Sequence, residues 1–286
     1  MAATAQIAGG RRDSVLPASA GRASFGGALR SEFTKIRSVR STYWTLAAMI
    51  IITIGISALL SWGRIQDFAS QPAVVQAQEA VRIRSRATEF SMFGLILGQL
   101  VIAVLGALTI TSEYSTGMIR TSLSVLPQRG TLYTAKALVF TVVALVAGLV
   151  TSFGSYFIGQ AIFATHHLNS SIGQPGVLRA VVGGGLFLGA CGLLSYGIGA
   201  LLRHTAGAIT ASVALLFVLF VLSGFLPSSW AVHVDKWIPF NAGAAIWENL
   251  SGQNMFSPWV GFGVFCCYAA VAVVAGGILF RARDAG

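Results

Sequence analysis

Charge is what this chain has least of. Of its 286 residues only 10% are Asp, Glu, Lys or Arg and 55% are hydrophobic, for a mean hydropathy of +0.75. Soluble domains carry about 25% charged residues, so the deficit excludes an ordinary water-soluble fold. Acidic residues are scarcest, nine against 19 Lys and Arg. Cysteine is also rare. Cys191 and the adjacent Cys266-Cys267 fall in apolar runs and read as small packing residues, not as a disulfide framework or metal set. No G-x-x-x-x-G-K-[ST] loop occurs, so nothing could cradle phosphates on backbone amides beside a lysine. A lipid-modifying membrane enzyme would need paired carboxylates, a metal set or a nucleophile with its base at membrane depth. None is found, and His166-His167 has no Cys or carboxylate companion to complete a metal site. The sequence therefore assigns no catalytic, cofactor-binding or metal residues.

What the chain has in abundance is long apolar runs. Six reach the length of roughly 20 residues needed to cross a bilayer: Tyr43–Trp62, Phe90–Thr111, Ala137–Ala164, Ala180–Leu202, Thr205–Leu226 and Pro258–Phe280. None holds Asp, Glu, Lys or Arg, which also argues against an ion-coupled carrier, since such carriers keep an ionisable group at depth. The expected fold is an all-α polytopic membrane protein. With the N-terminus cytoplasmic, 13 of the 19 Lys and Arg fall in inner connections and 6 in outer ones, so both termini are placed inside. The outer trio Arg82, Arg84 and Arg86 weakens that contrast without reversing it. The net charge of +10 flanks spans where anionic lipid would meet it, and implies no nucleic-acid partner.

Residues 1–22 are rich in Ala, Gly, Ser and Arg and read as a disordered tail; 23–286 form the transmembrane domain. From Phe25 a stripe of Phe25, Leu29, Phe33, Ile36 and Val39 recurs at helical steps, with Arg30, Lys35 and Arg37 on other faces. It predicts a basic amphipathic helix lying in the inner interface. Outside, a short helix is expected near 71–86. The connection 227–257 is broken by prolines and rich in Trp and Phe, which predicts a segment dipping back into the outer leaflet. Gly185-x-x-x-Gly189 predicts close packing of the fourth span, within the chain rather than between copies.

The most distinctive stretch is Glu113–Lys136, polar between two apolar spans. Ile119, Leu123 and Leu126 have helical spacing, Gly117 precedes them and Pro127 ends the turn. Arg120, Arg129 and Lys136 make it basic. A short helix held at the inner membrane face is suited to receive a push from a soluble partner.

These residues resemble the cytoplasmic loop of ABC-2 type transporter permeases: Glu113-Tyr114, then Thr116-Gly117, a short helix, Pro127-Gln128-Arg129, and Ala135-Lys136 opening the next span. The similarity covers roughly residues 25 to 283. It implies an N-terminal interfacial elbow helix (Phe25, Leu29, Phe33, Ile36, Val39), a cytoplasmic coupling helix between spans 2 and 3, and a re-entrant outer segment between spans 5 and 6. It implies ATPase-coupling roles for Glu113, Thr116, Gly117, Arg120, Leu123, Pro127 and Arg129. It further implies a multi-pass cell-membrane subunit of an exporter, working with two copies of a separate ABC ATPase that binds ATP and Mg, and with a second permease subunit, identical or related. Leu250-Ser251-Gly252-Gln253-Asn254 faintly echoes the ATPase signature but lies in an outer connection, and reads as coincidence. The absence of charge in the spans favours a hydrophobic or amphiphilic cargo, with Gln99, Tyr156, Gln160 and Tyr196 as possible pathway residues. The alternative is an ATP-independent membrane sensor or assembly subunit of the same fold.

Overall fold

The computed structural model describes residues 25–118, 128–248 and 255–282, and among them the chain forms helices and no strand. Helix α1 (Phe25–Ser38) ends at Val39, whose extended backbone (φ −83°, ψ 101°) turns the chain into α2 (Arg40–Ser70). Helix α3 (Ala73–Met92) doubles back along α2 and continues, after a bend at Phe93-Gly94, as α4 (Leu95–Ser115). Then follow α5 (Arg129–Ala164), α6 (Val177–Leu202), α7 (Thr205–Ser223), α8 (Ser228–Val234), α9 (Pro239–Ala244) and α10 (Pro258–Ala282). Six helices are long and apolar enough to cross a membrane: α2, α3 with α4, α5, α6, α7 and α10. Helices suit such sequence because a bilayer offers backbone groups no water, so each must be satisfied within its own segment.

Several limits differ from those expected. The first span runs eight residues past Trp62 to Ser70, and the outer helix occupies Ala73–Met92 rather than 71–86. Together they form a helical hairpin beyond the apolar run, held by Ile65 and Phe68 against Ile83, Ala87, Phe90 and Phe163. Helix α5 starts at Arg129, well before Ala137, which brings Lys136 inside the helix. Helix α7 stops at Ser223, short of Leu226, and carries a π turn at Ala214–Val218.

Helix α6 is the central post. Its most apolar stretch is 72% buried, against 17% in α7 and 22% in α10. Small residues permit this crowding: Gly185 and Gly189 face Leu149 and Leu145 of α5 in the same chain. Gly94 is required where α4 crosses α2. A Cβ there would overlap the Thr53 carbonyl and the Ser57 hydroxyl, and the Gly94 amide donates to Ser57 Oγ at 3.1 Å.

The segment after α8 turns back into the bundle. Phe240, Ala242, Ala244, Ile246 and Trp247 are buried, with the Phe240 ring 5.9 Å from Phe187 of α6 and 4.1 Å from Phe220 of α7. Trp230 and Trp237, by contrast, are exposed. The aromatics of this connection thus divide between core and rim, a split their composition alone did not reveal. The helices place α1, the end of α4, the start of α5, the α6–α7 turn and the end of α10 at one face, here termed the terminal face. The α2–α3 hairpin and the α8–α9 segment lie at the far face.

Candidate functional site

At the terminal face, four charged side chains from three helices meet inside the protein. Ala28 and Glu32, one turn apart on α1, face α5, where Leu132 and Ala135 receive Ala28. Glu113 occupies the last turns of α4, and Lys136 lies two turns into α5. Lys136 Nζ donates to Glu32 Oε2 at 2.5 Å and to Glu113 Oε1 at 2.8 Å. Lys35 Nζ closes the set, 2.8 Å from Glu32 Oε1 and 3.2 Å from Glu113 Oε1. Glu32, Glu113 and Lys136 are all 5% exposed or less.

Two carboxylates and two ammonium groups leave the cluster neutral. Taking an ion out of water costs several kcal/mol, and only a well-placed opposite charge offsets it. The Lys35 pKa shows the balance: burial works against its charge, but hydrogen bonds and attraction from Glu32 and Glu113 outweigh burial and raise it above the usual 10.5. One atom is left over, since Glu113 Oε2 is buried without a hydrogen-bond partner.

Aromatic contacts fasten the same face a second time. Tyr114 lies edge-on to Phe280 of α10 at 6.3 Å, Phe280 is 5.4 Å from Tyr133 of α5, and Tyr133 is 5.2 Å from Tyr196 of α6. Tyr196 OH donates to the Tyr133 carbonyl, and Tyr133 OH donates to the Val273 carbonyl. The Arg203 guanidinium sits 5.0 Å over the Tyr114 ring and donates to the Leu279 carbonyl. Adjacent residues Glu113 and Tyr114 therefore anchor one end of the polar stretch, while Tyr133 and Lys136 anchor the other. Together they tie the end of α4 to the start of α5.

The sequence-predicted residues divide around this tie. Thr116 and Gly117 are exposed, and Gly117 ends α4 at φ +69°, a backbone state that suits glycine. Arg129 opens α5. Ile119, Arg120, Leu123, Leu126 and Pro127 lie outside the described residues. Glu113, grouped with the loop as an ATPase-coupling residue, has its carboxylate buried in the cluster rather than exposed with Thr116 and Gly117.

Helix α1 also differs in detail. Phe25, Phe33 and Val39 point away from the protein, Leu29 and Ile36 are partly covered, and the side facing α5 is Ala28 and Glu32. The four suggested pathway residues are buried, and three of them hold hydrogen bonds within the chain. Gln160 holds Ser91 and the Ser170 amide, Tyr156 OH donates to the Ser170 carbonyl, and Tyr196 bonds as described. Gln99 is fully buried beside Cys191, with its Nε2 unpartnered. Glu32 was missed altogether. Its signal was present: a lone acid on a basic helix, one turn from a small residue. The outer arginines that blurred the charge asymmetry each have local work: Arg82 near Glu79, Arg84 on the His167 carbonyl, and Arg86 on Glu89.

Compared with known protein families, residues 28–223 match the family described as ABC-2 family transporter protein. A search of curated proteins finds no match.

Proposed function

The chain belongs to the ABC-2 transporter family, and on that premise we propose that it is the membrane-spanning permease half of an ATP-driven exporter. Membership implies an ABC ATPase as partner. In this reading the chain hydrolyses no nucleotide and binds no cofactor itself, because it has no phosphate-cradling loop. Two ATPase copies and a second permease subunit complete the transporter. The distribution of Lys and Arg supports a cytoplasmic terminal face with both termini inside the cell membrane. Helix α1 then serves as the elbow, its exposed Phe25, Phe33 and Val39 meeting acyl chains, and the buried 239–247 segment re-enters from outside.

The observation that carries the proposal is the charge cluster. Glu113 and Lys136 bracket the loop, and both are joined to Glu32 of α1 directly or through Lys35. A push on residues 117–128 by the ATPase would therefore reach α1, α4 and α5 together. The cargo is hydrophobic or amphiphilic.

The test is to purify the chain with an ABC ATPase and follow ATP turnover and transport in reconstituted vesicles. In the short helix expected from the spacing of Ile119, Leu123 and Leu126, Leu123→Pro would remove an amide donor at a cost of about 3 kcal/mol or more, beyond what such a helix supplies by itself. Normal insertion with transport lost is expected. Transport at the parental rate would remove the coupling role of the loop. An ATPase whose turnover is indifferent to the chain would favour the ATP-independent sensor or assembly subunit.

A further inference from the structure

At the far face a cavity of about 300 Å³ opens between the α3–α4 bend, the end of α7 and the α8–α9 segment. That volume lies at the lower end of ligand pockets, which span about 300–1,000 Å³. Phe93, Ile96, Phe220 and Met255 give it apolar walls, and Arg86, Glu89, Asp235 and Glu248 give it charge. Arg86 is already committed to Glu89, Nε to Oε2, at 2.7 Å. The other two carboxylates lack such a partner among the described residues. Asp235 Oδ1 is shielded from solvent without a hydrogen bond. Glu248 is almost wholly surrounded by protein, and the surface it retains lines the cavity.

Unpaired carboxylates in a low-dielectric site are costly, and a cation placed between them relieves that cost. The described residues include no group of three His, Cys, Asp or Glu able to hold a metal ion. The apolar walls suit a larger body than a bare metal ion. We infer that this cavity is a binding site for a lipophilic organic cation, with Glu248 and Asp235 holding the charge and Phe93, Phe220 and Met255 the apolar part. The site names a cargo class for the exporter proposed above, and as cargo site it rests on that reading.

Protonation gives the site a signature. Burial pushes the Glu248 carboxyl up to about 8, with repulsion from Glu89 adding to the shift and Arg86 opposing it. At pH 7 the empty site holds a proton on Glu248, and an arriving cation displaces it. Affinity therefore rises from pH 6 to pH 9.

The probe is ethidium, titrated by fluorescence anisotropy into nanodiscs carrying the full-length chain and into empty nanodiscs. The anion 8-anilinonaphthalene-1-sulfonate serves as counter-probe. Calorimetry in two buffers of different ionisation enthalpy counts the protons released. Saturable ethidium binding is expected above the empty-disc level, at least tenfold weaker in Glu248→Gln and weakened in Asp235→Asn. Proton release should appear in the parent at pH 7 and vanish in Glu248→Gln. Equal affinity in the parent and both variants, equal binding of the anion, or no saturable ethidium binding would each overturn the site. The titration uses no ATPase, so its failure is distinct from failure of the exporter reading. Ethidium binding in a chain that no ATPase responds to would retain the site and remove its role in export.

Discussion

At the terminal face two buried carboxylates meet two ammonium groups; at the far face three carboxylates share a cavity with one guanidinium among its described walls. In the first region every charge has an opposite within 3.2 Å, and the groups come from three helices. In the second, Arg86 satisfies its near neighbour Glu89, and Asp235 and Glu248 line the cavity with no ion pair to another described residue. The lesson is that buried charge in this chain serves two different ends. Where it is balanced across elements it fastens them. Where it is unbalanced, a buried carboxyl keeps a proton that an arriving cation can displace.

The sharpest way to break the comparison is to unbalance the balanced end. Lys136→Met leaves Glu32 and Glu113 buried with Lys35 alone between them, and removing one partner of a buried pair costs about 3–5 kcal/mol. A large fall in melting temperature in detergent is expected. Glu113→Gln added to Lys136→Met should recover a good part of it, because the Glu32–Lys35 pair then remains matched. A melting temperature unchanged by Lys136→Met would show that the cluster fastens nothing.

Gly94→Ala perturbs the far end without touching a charge. Its Cβ would strike the Thr53 carbonyl, forcing α2 and α4 apart beside the cavity wall at Phe93. Overpacking of this kind costs about 1–3 kcal/mol. Thermal melts should show that loss, with the Lys136→Met effect adding to it, as expected for separate sites.

The far end can also be probed by pH. Because the folded-state value of Glu248 is raised from 4.5 to about 8, the folded protein holds a proton that the unfolded chain gives up. That contribution to stability is fully present below about pH 4.5 and is lost as pH rises through about 8. Glu248→Gln should flatten this part of the stability curve, measured by melts from pH 4.5 to 9. The mildest change is Glu79→Gln, which removes the 3.6 Å pairing of half-buried Glu79 with exposed Arg82. Surface pairs contribute about 0–1 kcal/mol, so little shift is expected, and a large one would mean that exposed pairs rival the cluster.

Much of this fold was legible because membrane-spanning helices announce themselves by length and apolarity. All six spans appear, and α1 was readable from the step pattern Phe25, Leu29, Phe33, Ile36, Val39. Their ends were less legible. Past Trp62 the helix persists through Arg64 and Asp67 by packing against α3, a tertiary effect that hydropathy does not see. The site was half legible. Glu113 and Lys136 stood out beside the loop, but their meeting with Glu32 depends on α1 folding back over α5, across 104 residues of sequence. Gln160 and Tyr156 looked like pathway residues because polar groups in apolar spans suggest transport. Only the fold reveals that both bind the backbone of Ser170.

The central claim is that the cluster makes α1 and the start of α5 one mechanical body. The most direct measurement is the distance between spin labels at the exposed positions Thr34 and Thr134, followed through the ATP cycle with the partner ATPase bound, alongside a label pair from Thr134 to the exposed Leu222 on α7. The account expects the 34–134 distance to stay fixed while the 134–222 distance changes, and expects Glu113→Gln with Lys136→Gln to let the first distance vary. A 34–134 distance that shifts with nucleotide in the parent protein would contradict it.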